Sequence, residues 1–365
     1  MEVVVEFCEN APFWEGKRVF LTGHTGFKGA WLAAMLRRRG AHIHGFALPP
    51  LPESRLFEAV EQSGTFAEST IGDVRDPAAV SAALRRSQAE VVLHLAAQPL
   101  VRLSYDDPVG TYATNVMGTV HVLDAIRRQD TVRAAVVVTS DKCYENREWF
   151  WGYRETEPMG GYDPYSNSKG CSELVTSAFR RSYFGAPNNA NIGSGRAGNV
   201  IGGGDWSADR LLPDMIRNCL AGQETPIRNP GAVRPWQHVL EPLSGYLKLA
   251  ERLSGEGGGA FADGWNFGPD ATSERTVRDV VEATCSAWGD SASWRVDDGA
   301  HVHEAGYLKL DSSKARRLLD WQSVWDFDQT IQATVDWYAA ESRGDDLIAF
   351  TNQQMSDYFA AVAAS

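Results

Sequence analysis

Two short words in the chain place proton-carrying side chains where alcohol chemistry needs them. In Tyr162-Asp163-Pro164-Tyr165-Ser166-Asn167-Ser168-Lys169, Tyr165 and Lys169 stand four residues apart at the start of a predicted helix, so both face one side. An ammonium beside a phenol favours the phenolate and draws its pKa down from about 10, making tyrosine a base for a hydroxyl proton. The second word, Thr139-Ser140-Asp141-Lys142-Cys143-Tyr144, ends an apolar run. There Ser140 can hydrogen-bond a substrate hydroxyl, Asp141 can serve as an acid if burial raises its pKa, and Lys142 can act as base or electrostatic partner. Taken singly, the words read as a surface pair and a polar turn. Taken together, behind the turn described next, they read as an oxidation site.

That turn lies in residues 16–45, GKRVFLTGHTGFKGAWLAAMLRRRGAHIHG. Val19, Phe20 and Leu21 form a strand pattern, Gly23, Gly26 and Gly29 follow at three-residue spacing, and Trp31, Leu32, Met35 and Leu36 recur with helical period. The spacing is GxxGxxG rather than GxGxxG. Gly23 allows a tight turn, Gly26 lets backbone approach a pyrophosphate, and Gly29 permits close strand-to-helix packing, with the helix-start N–H groups facing the anion.

Further strand patterns cover 42–47, 91–95 and 134–139, and helical patterns begin near Gly29, Ala78, Val116 and Ser166. The alternation predicts an α/β fold: a Rossmann-type doubly wound parallel sheet over about residues 16–185, with ligands at the carboxyl ends of its strands. Residues 186–238 are rich in glycine, proline and asparagine and predict ligand-wrapping loops. They and residues 270–345 are expected to build a smaller, discontinuous substrate lobe. The stretch 239–268 returns to the first lobe, with 255–264 as a flexible connection and 264–268 as a strand; 276–288 is expected to be helical. Residues 188–195, NNANIGSG, are less apolar than a strand there should be. The second strand, ending HIHGFALPP, carries neither the acid that normally reads an NAD ribose nor an arginine for a 2′-phosphate.

Composition narrows the class. At 365 residues, with 43% hydrophobic and 22% charged side chains, the chain can bury a large core, and no apolar run approaches the ~18 residues of a membrane span. A net charge of −12 disfavours nucleic-acid binding, and the run Arg37-Arg38-Arg39 sits at a predicted helix end, where cations suit the dipole. The acidic start lacks an export-signal pattern, so a cytoplasmic protein is expected. Five scattered cysteines without CxxC spacing argue against both a disulfide framework and structural zinc. His301 and His303, in HVHE, lack a wider ligand cluster, so no metal is expected.

TGHTGFKG, GDVRD at 72–76, HLAAQ at 94–98, TNVMGT at 114–119 and the YxxxK word together resemble the extended short-chain dehydrogenase/reductase family, in its nucleotide-sugar branch. Residues 139–174, RAGNVIGGGDW at 196–206 and RPWQHVLEPLSGY at 234–246 look like the 4,6-dehydratases of the CDP-glucose branch, and the similarity spans about residues 16–358. The resemblance implies NAD as a cofactor that is not consumed, CDP-glucose as substrate, and a homodimer or homotetramer. It implies Ser140, Asp141, Lys142, Tyr165 and Lys169 as catalytic residues. It puts Gly23, Thr25, Gly26, Phe27, Lys28 and Gly29 at the pyrophosphate, Asp73 and Val74 at the adenine, and Leu95, Ala96, Ala97, Gln98 and Asn115 toward the ribose side, with Tyr165 and Lys169 shared. Asn199 and Arg234 are implied as diphosphate contacts, Arg210 and Tyr307 as further substrate contacts. Related dehydratases read Thr-Asp-Glu where this chain has Ser140-Asp141-Lys142, which leaves the base at the sugar C5 open. A dehydratase or epimerase acting on another nucleotide sugar, and a silent nucleotide-binding regulator, are the alternatives.

Overall fold

The computed structural model describes residues 12–185, 189–270, 273–289, 292–297, 299 and 306–365. Seven strands form its central sheet: β1 (Arg18–Thr22), β2 (His42–Ala47), β3 (Phe66–Ile71), β4 (Val91–His94), β5 (Ala134–Val138), β6 (Asn191–Arg196) and β7 (Gly264–Asn266). Their order is β7-β6-β5-β4-β1-β2-β3 and every pairing is parallel. The order reverses at β1, and β4 lies beside it in register, with Thr22 opposite His94. The carboxyl ends of these two strands frame the crevice in which such sheets bind ligands.

Period-two alternation divides the core between two faces. Val19 and Leu21 of β1 join Trp31, Leu32 and Leu36 of α1 (Phe27–Arg38) in one buried cluster; Phe20 joins Val80 and Leu84 of α2 (Pro77–Ser87) and Val122 and Ile126 of α3 (Gly118–Ile126) in the other. The first cluster also takes in α5 (Leu240–Ser254) through Leu243, Tyr246 and Leu247, and α7 (Leu347–Ala364) through Tyr358. Beside α3 runs α4 (Pro164–Tyr183), whose first turn carries Pro164 and is capped by Asp163.

Two sheet strands escape a reading by apolar pattern. The edge strand β3, FAESTI, is polar because one side meets solvent. In β6, NIGSGR, the glycines make room: a Cβ at Gly193 would lie 3.0 Å from Leu249, and one at Gly195 would lie 2.6 Å from the Tyr246 ring. Missing side chains on the strand are thus filled by α5. The strand expected over 264–268 is confirmed as β7, and Val277–Trp288 is helical, with Thr276 and Asp279 forming a reciprocal capping box.

Outside the sheet, Thr225–Ile227 pairs with Trp294–Val296, Val233–Pro235 with Glu274–Thr276, and Val200–Ile201 with Gln237–His238. Ile201, Leu212, Trp236 and Val280 share a separate small core with Phe327, Ile331 and Val335 of α6 (Phe327–Arg343). The basic run at the end of α1 does more than suit a dipole. Arg38 donates to Asn352 O at 2.9 Å and Ser356 Oγ at 2.8 Å, and the Arg39 guanidinium lies 4.4 Å from the Phe359 ring, so these arginines dock α7 onto α1.

Candidate active site

The turn between β1 and α1 is closed by backbone. Gly23, at φ +76°, donates to Phe46 O at 2.9 Å, and a Cβ on it would stand 2.8 Å from Ala96 N. A Cβ at Gly29 would fall 2.1 Å from Gly23 O. Gly26 is exposed and starts α1 with no side chain capping its N–H groups. Open N–H donors at a helix start, on a turn with no room for a side chain at Gly23 or Gly29, fit a diphosphate. Thr25 donates to Leu48 O at 2.9 Å, and Phe27 packs toward Gly202, whose Cβ would lie 3.2 Å from its ring.

The loop after β4 forms the opposite wall. Thr22 Oγ1 accepts from the N–H groups of Leu95 and Ala96 at 3.1 and 3.2 Å, and half-buried Ala97 follows. Asn115 accepts from Gln98 N at 2.8 Å and donates to Gln98 O at 3.0 Å and Ser168 Oγ at 2.8 Å. Its amide is spent within the protein, so Asn115 holds this loop to α4 instead of presenting a group to a ligand. It sits in a π-helical stretch, Ala113–Met117, the kind of irregularity that re-aims side chains at sites. Asp73 is gripped by Arg75 through its backbone N–H at 2.9 Å and its guanidinium at 2.6 Å, which holds the carboxyl below its ordinary range. Val74 is buried, and its carbonyl accepts from His121 at 2.8 Å.

At the end of β5 the candidate reacting groups converge. Ser140, Asp141, Tyr165 and Lys169 are all buried. Ser140 Oγ donates to Asp141 Oδ1 at 2.9 Å and faces the Tyr165 hydroxyl; Asp141 Oδ2 is buried with no protein partner. A Cβ at Gly198, in the RAGNV word, would stand 1.7 Å from that oxygen, so glycine there is what admits the carboxylate. Lys142 Nζ lies 6.0 Å over the Tyr165 ring. Half-buried Lys28 is pulled down to about 7, chiefly by burial and then by Arg210 and Lys169, with Asp141 and Asp205 opposing.

The expected depression of the Tyr165 phenol by Lys169 is not what the geometry gives. Burial pushes Tyr165 up to about 12, and the groups that pull it back are Arg210 and Ser140. Lys169 instead donates to Val138 O at 3.3 Å and is itself lowered by burial to about 8, with Glu173 the main opposing influence.

Of the four substrate candidates, Arg210 belongs to this cluster: it pairs with Asp205 at 3.3 Å and acts on Tyr165 and Lys28. Arg234 and Tyr307 meet elsewhere, where Arg234 donates to Gly306 O at 3.1 Å, residue 307 bridges to Val233, and the Tyr307 hydroxyl donates to Glu274 at 3.0 Å. Asn199 adopts a left-handed φ of +46° directly after Gly198, and its carbonyl accepts from Gln237 N. His301 and His303 lie outside the described residues, and no group of metal-binding side chains occurs among those described.

Behind the site lies a buried network that none of the sequence words above contains in full. Glu173 Oε2 accepts from Arg196 at 2.8 Å and Ser194 at 2.7 Å, Oε1 accepts from Thr139 at 2.5 Å, and Arg196 donates onward to the Tyr144 hydroxyl at 2.6 Å. Tyr246 closes the floor, its hydroxyl buried and in the field of Tyr165 and Asp141. The signal for Glu173 was present: it lies four residues after Lys169 and eight after Tyr165, a carboxylate on the inward stripe of a helix.

Among known proteins, the CDP-glucose 4,6-dehydratase of Salmonella typhimurium is 53% identical over 353 residues, covering 96% of this chain and 98% of the relative. A dTDP-glucose 4,6-dehydratase of Xanthomonas campestris is 29% identical, covering 73% of this chain and 77% of its own. The fold matches the crystal structure of dTDP-glucose 4,6-dehydratase from Bacillus anthracis in complex with NAD, with TM-score 0.75, 21% identity and coverage of 91% of this chain and all of that one. A UDP-glucose-4-epimerase from Stenotrophomonas maltophila superposes with TM-score 0.77 at 20% identity, covering 90% of this chain and 99% of the epimerase. The family model described as GDP-mannose 4,6 dehydratase matches residues 20–334. With that span and the 53% relative, the chain belongs to the GDP-mannose 4,6 dehydratase family, within the extended short-chain dehydrogenases/reductases.

Proposed function

We propose that this protein is a hydro-lyase that uses NAD to convert CDP-D-glucose into CDP-4-dehydro-6-deoxy-D-glucose and water. One observation carries the reading: Asp141, buried with one oxygen unpartnered in the room that Gly198 leaves, stands beside Ser140 and Tyr165, so an acid for water loss accompanies the base for alcohol oxidation. An epimerase needs only the second of these. The near full-length relative supports CDP-glucose as the sugar nucleotide.

The β1–α1 turn would hold NAD by its pyrophosphate, and the cofactor would supply the hydride acceptor for C4 and the hydride donor for C6. Tyr165 takes the 4-hydroxyl proton, with Ser140 hydrogen-bonding the same oxygen and Arg210 favouring the phenolate. The C4 ketone acidifies the C5 proton, which passes to water, and Lys142, over the Tyr165 ring, stabilises the charge that develops on the carbonyl oxygen; C5 takes a proton back when C6 is reduced. Asp141 delivers its proton to the 6-hydroxyl, which departs as water. Lys169 orients the cofactor ribose. Gly23 to Gly29 cradle the pyrophosphate, Asp73, Val74 and Leu95 to Gln98 line the adenosine side, and Asn199, Arg234 and Tyr307 bind the CDP diphosphate, where a planar guanidinium suits bidentate contact.

Two lobes follow from this assignment, a cofactor lobe of 16–185 with 239–268 and a sugar-nucleotide lobe of 186–238 with 270–345. Exposed Leu103, Val109 and Met117 on the helical run before α3, with Leu174 on α4, offer an apolar face to a second copy, which supports a homo-oligomer. The reading places the enzyme in the cytoplasm, at the dehydration step of deoxysugar supply for surface polysaccharide.

The deciding experiment incubates the purified protein and NAD with CDP-, dTDP-, UDP- and GDP-hexoses and follows loss of 18 mass units, the formula weight of one water, by mass spectrometry. Product from CDP-glucose alone is expected; product only from another nucleotide sugar, or an epimer without mass change, refutes the assignment. In Asp141→Asn the expected outcome is a rise in reduced-nicotinamide absorbance without dehydrated sugar, whereas normal product formation removes Asp141 from its role.

A further inference from the structure

Glu173 is a buried carboxylate to which the chemistry above gives no task, and it lies one helical turn beyond Lys169. Together the two residues let α4 grip consecutive residues at the end of β5: Lys169 donates to Val138 O at 3.3 Å, and Glu173 Oε1 accepts from Thr139 Oγ1 at 2.5 Å. Ser140 and Asp141 follow immediately. The other oxygen, Oε2, reaches β6, accepting from Ser194 at 2.7 Å and Arg196 at 2.8 Å.

We propose that Glu173 is a positioning residue, which keeps the Lys169 side chain an ammonium and fixes it against the strand end that presents Ser140 and Asp141. The proposal rests on the dehydratase reading, since it assigns the charge of Lys169 a use. The titratable groups facing Lys169 are Glu173 on its own helix, Cys143 from the turn after β5, His94 at the end of β4 and Lys28 from α1. Burial holds Cys143 as a thiol and His94 as a neutral imidazole, and Lys28 repels. Glu173 is therefore the one anion among the four. Its partner Arg196 also donates to the Tyr144 hydroxyl at 2.6 Å and to Glu155 O at 3.2 Å. Arg196 helps to keep the Glu173 carboxylate ionised.

The test is direct because the chain has only seven lysines. The protein is grown with lysine labelled at 13Cε, the Lys169 signal is assigned by its loss in Lys169→Met, and its titration is followed by NMR in wild type and Glu173→Gln. The midpoint in Glu173→Gln is expected to fall by at least about one pH unit, a tenfold loss of proton affinity. The alkaline limb of kcat for CDP-glucose is expected to move down with it. If Glu173→Gln does not fold, Glu173→Gln/Arg196→Gln removes the pair together and is expected to lower the midpoint in the same direction. A midpoint that stays put in whichever variant folds overturns the proposal, even if melting temperature drops, since a purely structural carboxylate does only the latter. A shifted midpoint in a protein whose wild type dehydrates no CDP-glucose instead sinks the dehydratase reading and leaves the hold of Glu173 on Lys169 intact.

Discussion

Tyr165 shows how much a single residue owes to its burial. The YxxxK spacing invites the inference that lysine lowers the phenol, yet desolvation raises Tyr165 to about 12, and Arg210 is the first group working against that. Removing the guanidinium in Arg210→Gln leaves the phenol higher still. The acid limb of kcat/KM, which rises as Tyr165 gives up its proton, is therefore expected to move to higher pH, while Arg210→Lys restores it; a limb unchanged in the glutamine variant excludes Arg210 from this role. Gly198 offers a second residue-scale prediction. Its Cβ position, 1.7 Å from Asp141 Oδ2, leaves no room for a methyl group, so Gly198→Ala must displace the carboxylate. Misplacement by about 1 Å costs on the order of 10²-fold in rate, and that loss in kcat is expected with NAD affinity retained in a binding titration.

At the scale of elements, the readable parts are those whose signal is local. The glycine turn, the four apolar strand patterns and the helix starts read near 29, 78, 116 and 166, which the fold places at 27, 77, 118 and 164, were visible because periodicity and capping are written in neighbouring residues. Strand β6 was obscured, since its glycines answer to Tyr246 and Leu249 on a helix some 50 residues later. Arg196 was hidden for the same reason: its meaning lies in its pairing with Glu173. Glu241, in the HVLEPLSGY word, is another such case. It is buried on α5, its Oε1 accepts from Val324 N at 3.0 Å and Trp325 N at 2.8 Å, and Oε2 accepts from the Tyr358 hydroxyl at 2.9 Å. It thereby fastens α5 to the segment before α6 and to α7. Burial raises this carboxyl to about 7 from an ordinary 4.5, so the folded state prefers it protonated. That preference costs stability as pH rises from 4.5 through 7, by about 3 kcal/mol once the group is ionised. Glutamine mimics the protonated form, keeping an oxygen for the two N–H groups. Glu241→Gln is expected to melt higher than wild type at pH 8 and equally at pH 4.5, whereas Glu241→Ala, which orphans three donors, melts lower at both; calorimetry at the two pH values checks this.

For the whole molecule, buried histidines and buried carboxyls pull the acid stability in opposite directions. His24 is lowered to about 4, and His94 and His238 to about 3, all by burial. His94 sits between Thr22 and Thr119 beneath the cofactor turn, and His238 lies between the Trp31 and Trp325 rings, 5.7 and 4.8 Å away. Above pH 6.5 these groups are neutral folded or unfolded and contribute no slope. Below it the unfolded chain takes up three protons that the folded chain refuses, so stability is lost as pH falls. Between 7 and 4.5 the folded chain has its own uptake, because Glu241 and half-buried Glu341 both sit at about 7. Among these five groups the net excess in the unfolded state is then about one proton down to pH 4.5 and three from there to about pH 4, where His24 begins to charge in the folded chain as well. Since each proton is worth about 1.4 kcal/mol per pH unit, the decline starts near 1.4 and steepens toward about 4 kcal/mol per unit. Urea unfolding from pH 7.5 to 3.5 should show that break near 4.5. In Glu241→Gln the upper segment should steepen to about two protons, because one opposing carboxyl has gone. A single uniform slope in both proteins would mean that these histidines are not held neutral, and the packing of Trp31, His238 and Trp325 would then need a different electrostatic account.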